Sequence, residues 1–195
     1  MRATASLLAA LAIALAGGCD EDDEFAGAPD PATERRDPPA DPPPGWRTLA
    51  NRAAGFTMSV PREWTARTRR GATLIRSSDR LLAVTVAADR SEPGRTTPAP
   101  RYARRAFRAL PAFRRVRATR ARTVPRSPYP NGRVDGTGTL AATGGRQRIS
   151  VTAFRRPGRV TYTVVAFSAR LGSAPVHSGP LGVMLASLRA RAPRG

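Results

Sequence analysis

The single cysteine of this 195-residue chain, Cys19, ends an apolar run and begins an acidic one, and that junction sets how much sequence is left to build a core. Before it stand Arg2 and the apolar stretch from Leu7 to Ala16; directly after it come Asp20, Glu21, Asp22, Asp23 and Glu24. A membrane-crossing helix needs about 20 apolar residues. The stretch before Cys19 has the shorter length of a secretory signal, with a basic residue ahead of it and small residues, Ala16 to Gly18, behind it. Residues 1–18 are therefore expected to be a signal peptide. Residues 19–44 carry nine acids against Arg35 and Arg36, and seven prolines lie between Pro29 and Pro44. That composition cannot bury enough apolar surface to offset the entropy of ordering, so residues 19–45 are expected to form a disordered stalk. At about 3.1 Å per residue it would reach up to roughly 80 Å. A core must come from residues 46–191, with 192–195 as a tail.

Leu15-Ala16-Gly17-Gly18-Cys19 resembles the bacterial lipobox, with Ala16 where that motif usually has Leu and Leu15 one place early. The resemblance implies lipidation of Cys19. A thiolate is the nucleophile that can form the diacylglyceryl thioether, and a lasting anchor takes two acyl chains, each buried methylene contributing about 0.8 kcal/mol. With Cys19 acylated, the exported domain has no thiol nucleophile, no disulfide and no cysteine metal ligand. The expected location is the cell membrane, lipid-anchored on its extracytoplasmic face.

Charge separates the stalk from the domain. All 33 basic side chains are Arg; residues 45–195 hold 30 of them against five acids, a net of +25, whereas residues 19–44 stand at −7. A domain of that charge concentrates anions. Outside the cytoplasm those are lipid headgroups, anionic wall polymers and acidic proteins, and nucleic acid is not an expected partner on compartment grounds.

Roughly 150 residues suffice for one domain burying about 68–70% of its unfolded surface. Phe56, Met58 and Val60 alternate with smaller or polar residues as a half-buried strand does, and Pro61 stops the run. Short strands are expected near Trp64 to Arg67, Ala72 to Ser77 and Leu81 to Ala88, the last two joined by a turn at Ser78-Asp79-Arg80. Between Pro98 and Phe113 the period becomes helical. Ala99, Ala103, Ala106, Phe107 and Leu110 form an apolar stripe, and Arg101, Arg104, Arg105 and Arg108 another face. From Arg101 to Arg126 there are ten Arg and no acid, which makes Arg101, Arg104, Arg105, Arg108, Arg114, Arg115 and Arg117 the candidate anion-binding residues.

After a proline-rich loop with Asn131-Gly132 as a turn, strands are expected over Arg133 to Ala142, Arg146 to Arg155 and Arg159 to Leu171, forming a meander with hairpin glycines at Gly144-Gly145. The last has apolar residues on both faces, as a central strand does. A closing helix is expected to start near Pro180, with Leu181, Met184, Leu185 and Leu188 buried. The fold class is α+β, an antiparallel sheet covered by helices.

The opening Gly55-Phe56-Thr57-Met58-Ser59-Val60-Pro61-Arg62-Glu63-Trp64, the mid-chain helix, the meander and the Leu185-Ala186-Ser187-Leu188 ending are similar to the PsbP-like α/β/α sandwich, which includes bacterial envelope lipoproteins of the DcrB and LpqN kinds. The resemblance covers about residues 46–191 and implies a binding or assembly module without a shared catalytic motif.

Catalytic groups are sparse. His177 is the only histidine, read as a polar loop residue ahead of the last helix, and the domain's acids are Glu63, Asp79, Asp89, Glu92 and Asp135. Their spacing suggests neither a metal site, a triad nor a carboxylate pair. Asp135-Gly136-Thr137-Gly138 lacks the Gly-x-Gly-x-x-Gly of a phosphate loop and falls within a strand. No cofactor is expected, nor is enzyme activity. The expected protein is a monomeric, membrane-anchored binding module for an envelope component. The alternative is electrostatic binding of anionic lipid or wall polymer through the Arg-rich segment, and the third is a hydrolase whose site only the fold would assemble.

Overall fold

The computed structural model describes residues 42–69, 71–91, 96–125, 127–155, 161–168, 171 and 174–190. Cys19, nearly all of the segment expected to be a stalk, Glu92, Arg126 and the expected tail lie outside the described residues. In chain order the elements are β1 (Trp46–Asn51), β2 (Phe56–Pro61), β3 (Thr65–Arg69), β4 (Ala72–Arg76), β5 (Leu82–Asp89), α1 (Ala99–Arg108), β6 (Phe113–Arg122), β7 (Asn131–Leu140), β8 (Arg146–Arg155), β9 (Thr161–Ser168), α2 (Ala174–Ser187) and β10 (Arg189–Ala190). Seven strands form one antiparallel sheet in the order β3-β4-β5-β9-β8-β7-β6, and β1, β2 and β10 form a second, smaller sheet. The fold class is the expected one. β9, apolar on both faces, lies fourth of seven and is buried along nearly its whole length.

The period-two pattern builds a core on each face of the large sheet. On one face Leu82, Val84 and Val86 of β5 and Tyr162, Val164 and Ala166 of β9 meet Phe56, Met58 and Val60 of β2 and Leu181, Met184, Leu185 and Leu188 of α2. Ser187 Oγ ties α2 to β2 by accepting the Ser59 N–H at 2.9 Å. On the other face Ala99, Tyr102, Ala103, Ala106 and Phe107 of α1 pack on Val134, Ile149, Val151, Ala153 and Val165. Each large apolar side chain so buried contributes about 1.5–3 kcal/mol.

Close approach of α1 and of the neighbouring strands β6 and β8 explains the glycines of β7. A Cβ at Gly136 would collide with the Arg117 carbonyl and stand 2.5 Å from Phe107 Cζ, one at Gly132 would collide with Pro100, and one at Gly138 would lie 2.7 Å from Ile149 Cδ1. The Asp135-Gly136-Thr137-Gly138 run is therefore a strand whose glycines make room for Phe107 of α1 and for β6 and β8, and whose Asp and Thr lie on the opposite face of the sheet.

Several local expectations change. The helix expected to reach Phe113 ends at Arg108, because Pro111 disfavours helical backbone at Leu110. β1, β6 and β10 were not expected. In β6 nearly every side chain after Phe113 is at least partly exposed, as suits an edge strand, so no apolar alternation marks it. Asn131-Gly132 is not a turn but the start of β7. The Asn131 amide holds the loop instead, its Nδ2 donating to Val124 O at 3.2 Å and its Oδ1 accepting from Val124 N at 2.6 Å. The closing helix begins at Ala174 and Pro180 lies inside it. Proline there removes only the bond to the carbonyl of Val176, a residue 73% exposed.

Candidate anion-binding face

Residues paired across antiparallel strands share a face of the sheet. The register pairs Arg114 with Thr139, Arg117 with Thr137, Arg120 with Asp135 and Arg122 with Arg133. On the next strand Arg148 pairs with Thr137 and Arg146 with Thr139. Four arginines of β6, one of β7 and two of β8 thus stand on the face away from α1. Asp135 is the one acid on this face among the described residues. Its carboxylate is shared: Arg122 Nε lies 2.8 Å from Oδ2 and Arg133 Nε 3.0 Å from Oδ1. Burial pulls the Arg133 guanidinium below its usual pKa and Asp135 restores part of the difference; an arginine remains charged throughout.

Where this face meets the start of α2 it deepens into a cleft of about 250 Å³. Arg122, Arg133, Asp135, Arg148, Ser150, Ser168, His177 and Ser178 supply its polar lining, and Leu82, Ile149, Ala166, Phe167 and Leu181 the apolar part. The Ser150 hydroxyl is buried and makes no hydrogen bond.

His177 differs from its expected role. It lies in the first turns of α2, is 7% exposed, and packs edge-on to Trp64 with ring centres 6.1 Å apart. Its Nε2 approaches Asp79 Oδ2 to 3.0 Å, outside the alignment of a hydrogen bond. Ser77 Oγ donates to Asp79 Oδ1, and the Leu81 N–H donates to the same oxygen at 2.9 Å. The Ser77 hydroxyl and then the Leu81 amide hold the Asp79 carboxyl below its usual range, with His177 adding to them. In this Ser–Asp–His chain the carboxylate stands in the middle. A nucleophilic triad needs the imidazole there to take the hydroxyl proton, so Ser77 is a turn-forming group and His177 a docking residue for α2.

The remaining acids are apart: Glu63 is in the turn between β2 and β3, and Asp89, at the end of β5, accepts the Tyr102 hydroxyl at 2.7 Å on the α1 side. No three metal-ligating side chains converge among the described residues.

The structure divides the Arg101–Arg126 segment between two surfaces. Arg101, Arg104, Arg105 and Arg108 lie exposed on the outer side of α1. Arg114 and Arg117 belong to the opposite face of the sheet. Arg115 sits between them at an irregularity in the strand pairing, with φ of 52°. Arg120 and Arg122 belong to the Arg-rich segment read from sequence and Asp135 to its acids, whereas Arg133, Arg146, Arg148 and Ser150 carry no such signal. The signal that could have found them is the alternation Arg133-x-Asp135 and Arg146-x-Arg148-x-Ser150 in two paired strands, which needs the register to be read.

No family model matches the sequence and no curated protein matches it as a relative. Solved structures do. The cyanobacterial PsbP (CyanoP) of Synechocystis matches with a TM-score of 0.55 at 9% identity, over 77% of this chain and 95% of that one. The Ran-binding protein Mog1p of Saccharomyces cerevisiae matches at 0.53 and 9% identity, over 74% of this chain and 95% of that one. The fold is PsbP-like. A protein of Bacteroides thetaiotaomicron also matches, at 0.52 and 13% identity over 76% of this chain, which spans about half of that one (49%). Among the described residues no helix is long and apolar enough to cross a membrane.

Proposed function

We propose that this PsbP-like domain is a non-catalytic binding module of the cell envelope that holds an anionic partner on the β6–β8 face. The observation that carries the reading is the register itself: seven arginines on one side of three paired strands, with Asp135 the one acid among them. Neighbouring strands lie about 4.8 Å apart, so these charges repel one another unless anions approach. Arg114, Arg117, Arg120, Arg122, Arg146 and Arg148 are exposed to solvent, and Arg133 is partly buried beside Asp135. A Mog1-like neighbour described as Ran-binding gives this fold a precedent in binding. The lipobox-like sequence around Cys19 supports the reading of a lipid-anchored extracytoplasmic protein, which would place the face before lipid headgroups and anionic wall polymers.

The test is elution from an anionic polymer such as teichoic acid. An electrostatic face releases it near 0.5 M NaCl, where screening shortens to a few ångströms; retention at 1 M NaCl points instead to a packed protein interface, and absence of retention at 50 mM rejects the reading.

A further inference from the structure

The cleft at the end of the arginine face has a lining that a simple polyanion does not need. Three guanidiniums, Arg122, Arg133 and Arg148, stand against the one carboxylate of Asp135, leaving two positive charges with the His177 imidazole counted as neutral. Asp135 engages Arg122 and Arg133 through their Nε atoms alone. The terminal N–H groups of both, the fork that matches a phosphate oxygen pair, make no other hydrogen bond among the described residues. Ser150, 7% exposed on the cleft wall, has a hydroxyl without a partner. Beside these polar groups Leu82, Ala166 and Leu181 supply apolar lining, Ala166 being the cross-strand neighbour of Ser150.

We propose that the cleft binds a phosphomonoester whose organic part is apolar next to the phosphate. A phosphate monoester carries about −1.5 to −2 charges at pH 7, which matches the two uncompensated charges; a carboxylate or a phosphodiester leaves one unmatched. Its oxygens take the free guanidinium edges and the Ser150 hydroxyl. The first carbons lie against Leu82, Ala166 and Leu181, and the volume of about 250 Å³ limits the buried part to a few carbons. The chemistry fits the headgroup of a phosphatidate-type lipid or a soluble alkyl phosphate. The inference rests on the anion-binding reading of the face for the charge of its three arginines, but its apolar wall and Ser150 are independent of that reading.

Titration calorimetry on the full-length protein in nanodiscs of zwitterionic lipid tests it, with methyl, ethyl and butyl phosphate, pentanoate and short-chain phosphatidate as ligands. Affinity should rise about fourfold for each buried methylene from methyl to butyl phosphate, and pentanoate should bind at least tenfold more weakly than butyl phosphate. Short-chain phosphatidate binding as well as butyl phosphate would assign the site to a lipid headgroup, and its exclusion would assign it to a soluble phosphate ester; both keep the phosphomonoester site. Ala166→Leu, which narrows the cleft, should weaken butyl phosphate at least tenfold without altering retention on teichoic acid. Ser150→Ala, which removes a donor and little volume, should weaken it about tenfold and serves if the larger side chain unfolds the protein. Affinity independent of chain length, or binding unaffected by Ser150→Ala, overturns the cleft site. Loss of teichoic acid retention in Arg114→Gln/Arg117→Gln with butyl phosphate binding intact confirms the face and cleft as separate sites, whereas loss of both together overturns the cleft as a discrete one.

Discussion

Replacing Asp135 with Asn removes the one carboxylate of the arginine face while keeping the side chain's size. Its partners differ in exposure: the Arg133 side chain is 16% exposed and that of Arg122 45%, against 10% for Asp135. Breaking a buried pair costs about 3–5 kcal/mol because the remaining charge is left uncompensated, and an exposed pair is worth only about 0–1 kcal/mol. Asn retains one acceptor oxygen, so the expected loss is about 2–4 kcal/mol, a melting temperature lower by roughly 4–16 °C for a domain of this size. The same change raises the net positive charge of the cleft, so an anion should do part of the work of the lost carboxylate. A ligand at 100 times its dissociation constant returns about 2.7 kcal/mol. Thermal melts by circular dichroism in low salt, then with phosphate and with NaCl at equal ionic strength, measure both effects. Phosphate should restore much more of the melting temperature in the Asp135→Asn variant than NaCl does. An unchanged melting temperature, or equal recovery in both salts, would refute the reasoning, since the carboxylate would then be neither buried in effect nor a stand-in for a bound anion.

Gly136→Ala should cost about 1–3 kcal/mol through overpacking against the Arg117 carbonyl and Phe107. Gly182→Ala, in an open position of α2, should gain about 0.5–1 kcal/mol, and denaturant melts read both. Burial, more than the Asp89 contact, raises the Tyr102 pKa above its ordinary value of 10.0. A raised pKa contributes stability that is complete below about pH 10 and lost as pH climbs beyond it, so stability should fall through that range in the wild type and fall less in Tyr102→Phe. Cys19→Ala should move the protein from the membrane to the soluble fraction with its circular dichroism unchanged; continued membrane association in low salt that NaCl abolishes would show the arginine face acting as an anchor by itself.

How much of this was legible depended on where apolar side chains fall. Strands with a buried side, such as β2, β5 and β8, show alternation, and β9 shows the doubled apolar pattern of a sheet centre. β6 does not, because an edge strand bearing arginines toward solvent has no apolar face to display beyond Phe113 and Val116. The helical stripe of α1 was readable, and from it the arginine run seemed one continuous surface. A turn at Pro111 and a switch to period two divide it, and only strand register shows that the arginines of β6 join those of β7 and β8. His177 reads as a loop residue because Pro180 looks like a helix start; the helix begins earlier and carries His177 into the core against Trp64. The absence of a contiguous catalytic motif was visible from sequence, but the cleft was not, since its lining comes from β5, β6, β7, β8, β9 and α2.

The central claim is that the β6–β8 face, and not the arginines of α1, binds anions. Two triple variants remove equal charge, Arg114→Gln/Arg117→Gln/Arg120→Gln from the sheet face and Arg101→Gln/Arg104→Gln/Arg108→Gln from the helix. Affinity for teichoic acid measured across a NaCl series should fall sharply, with a shallower salt slope, for the sheet variant and little for the helix variant. Equal losses in the two would make the binding a matter of net charge, and a larger loss in the helix variant would contradict the account.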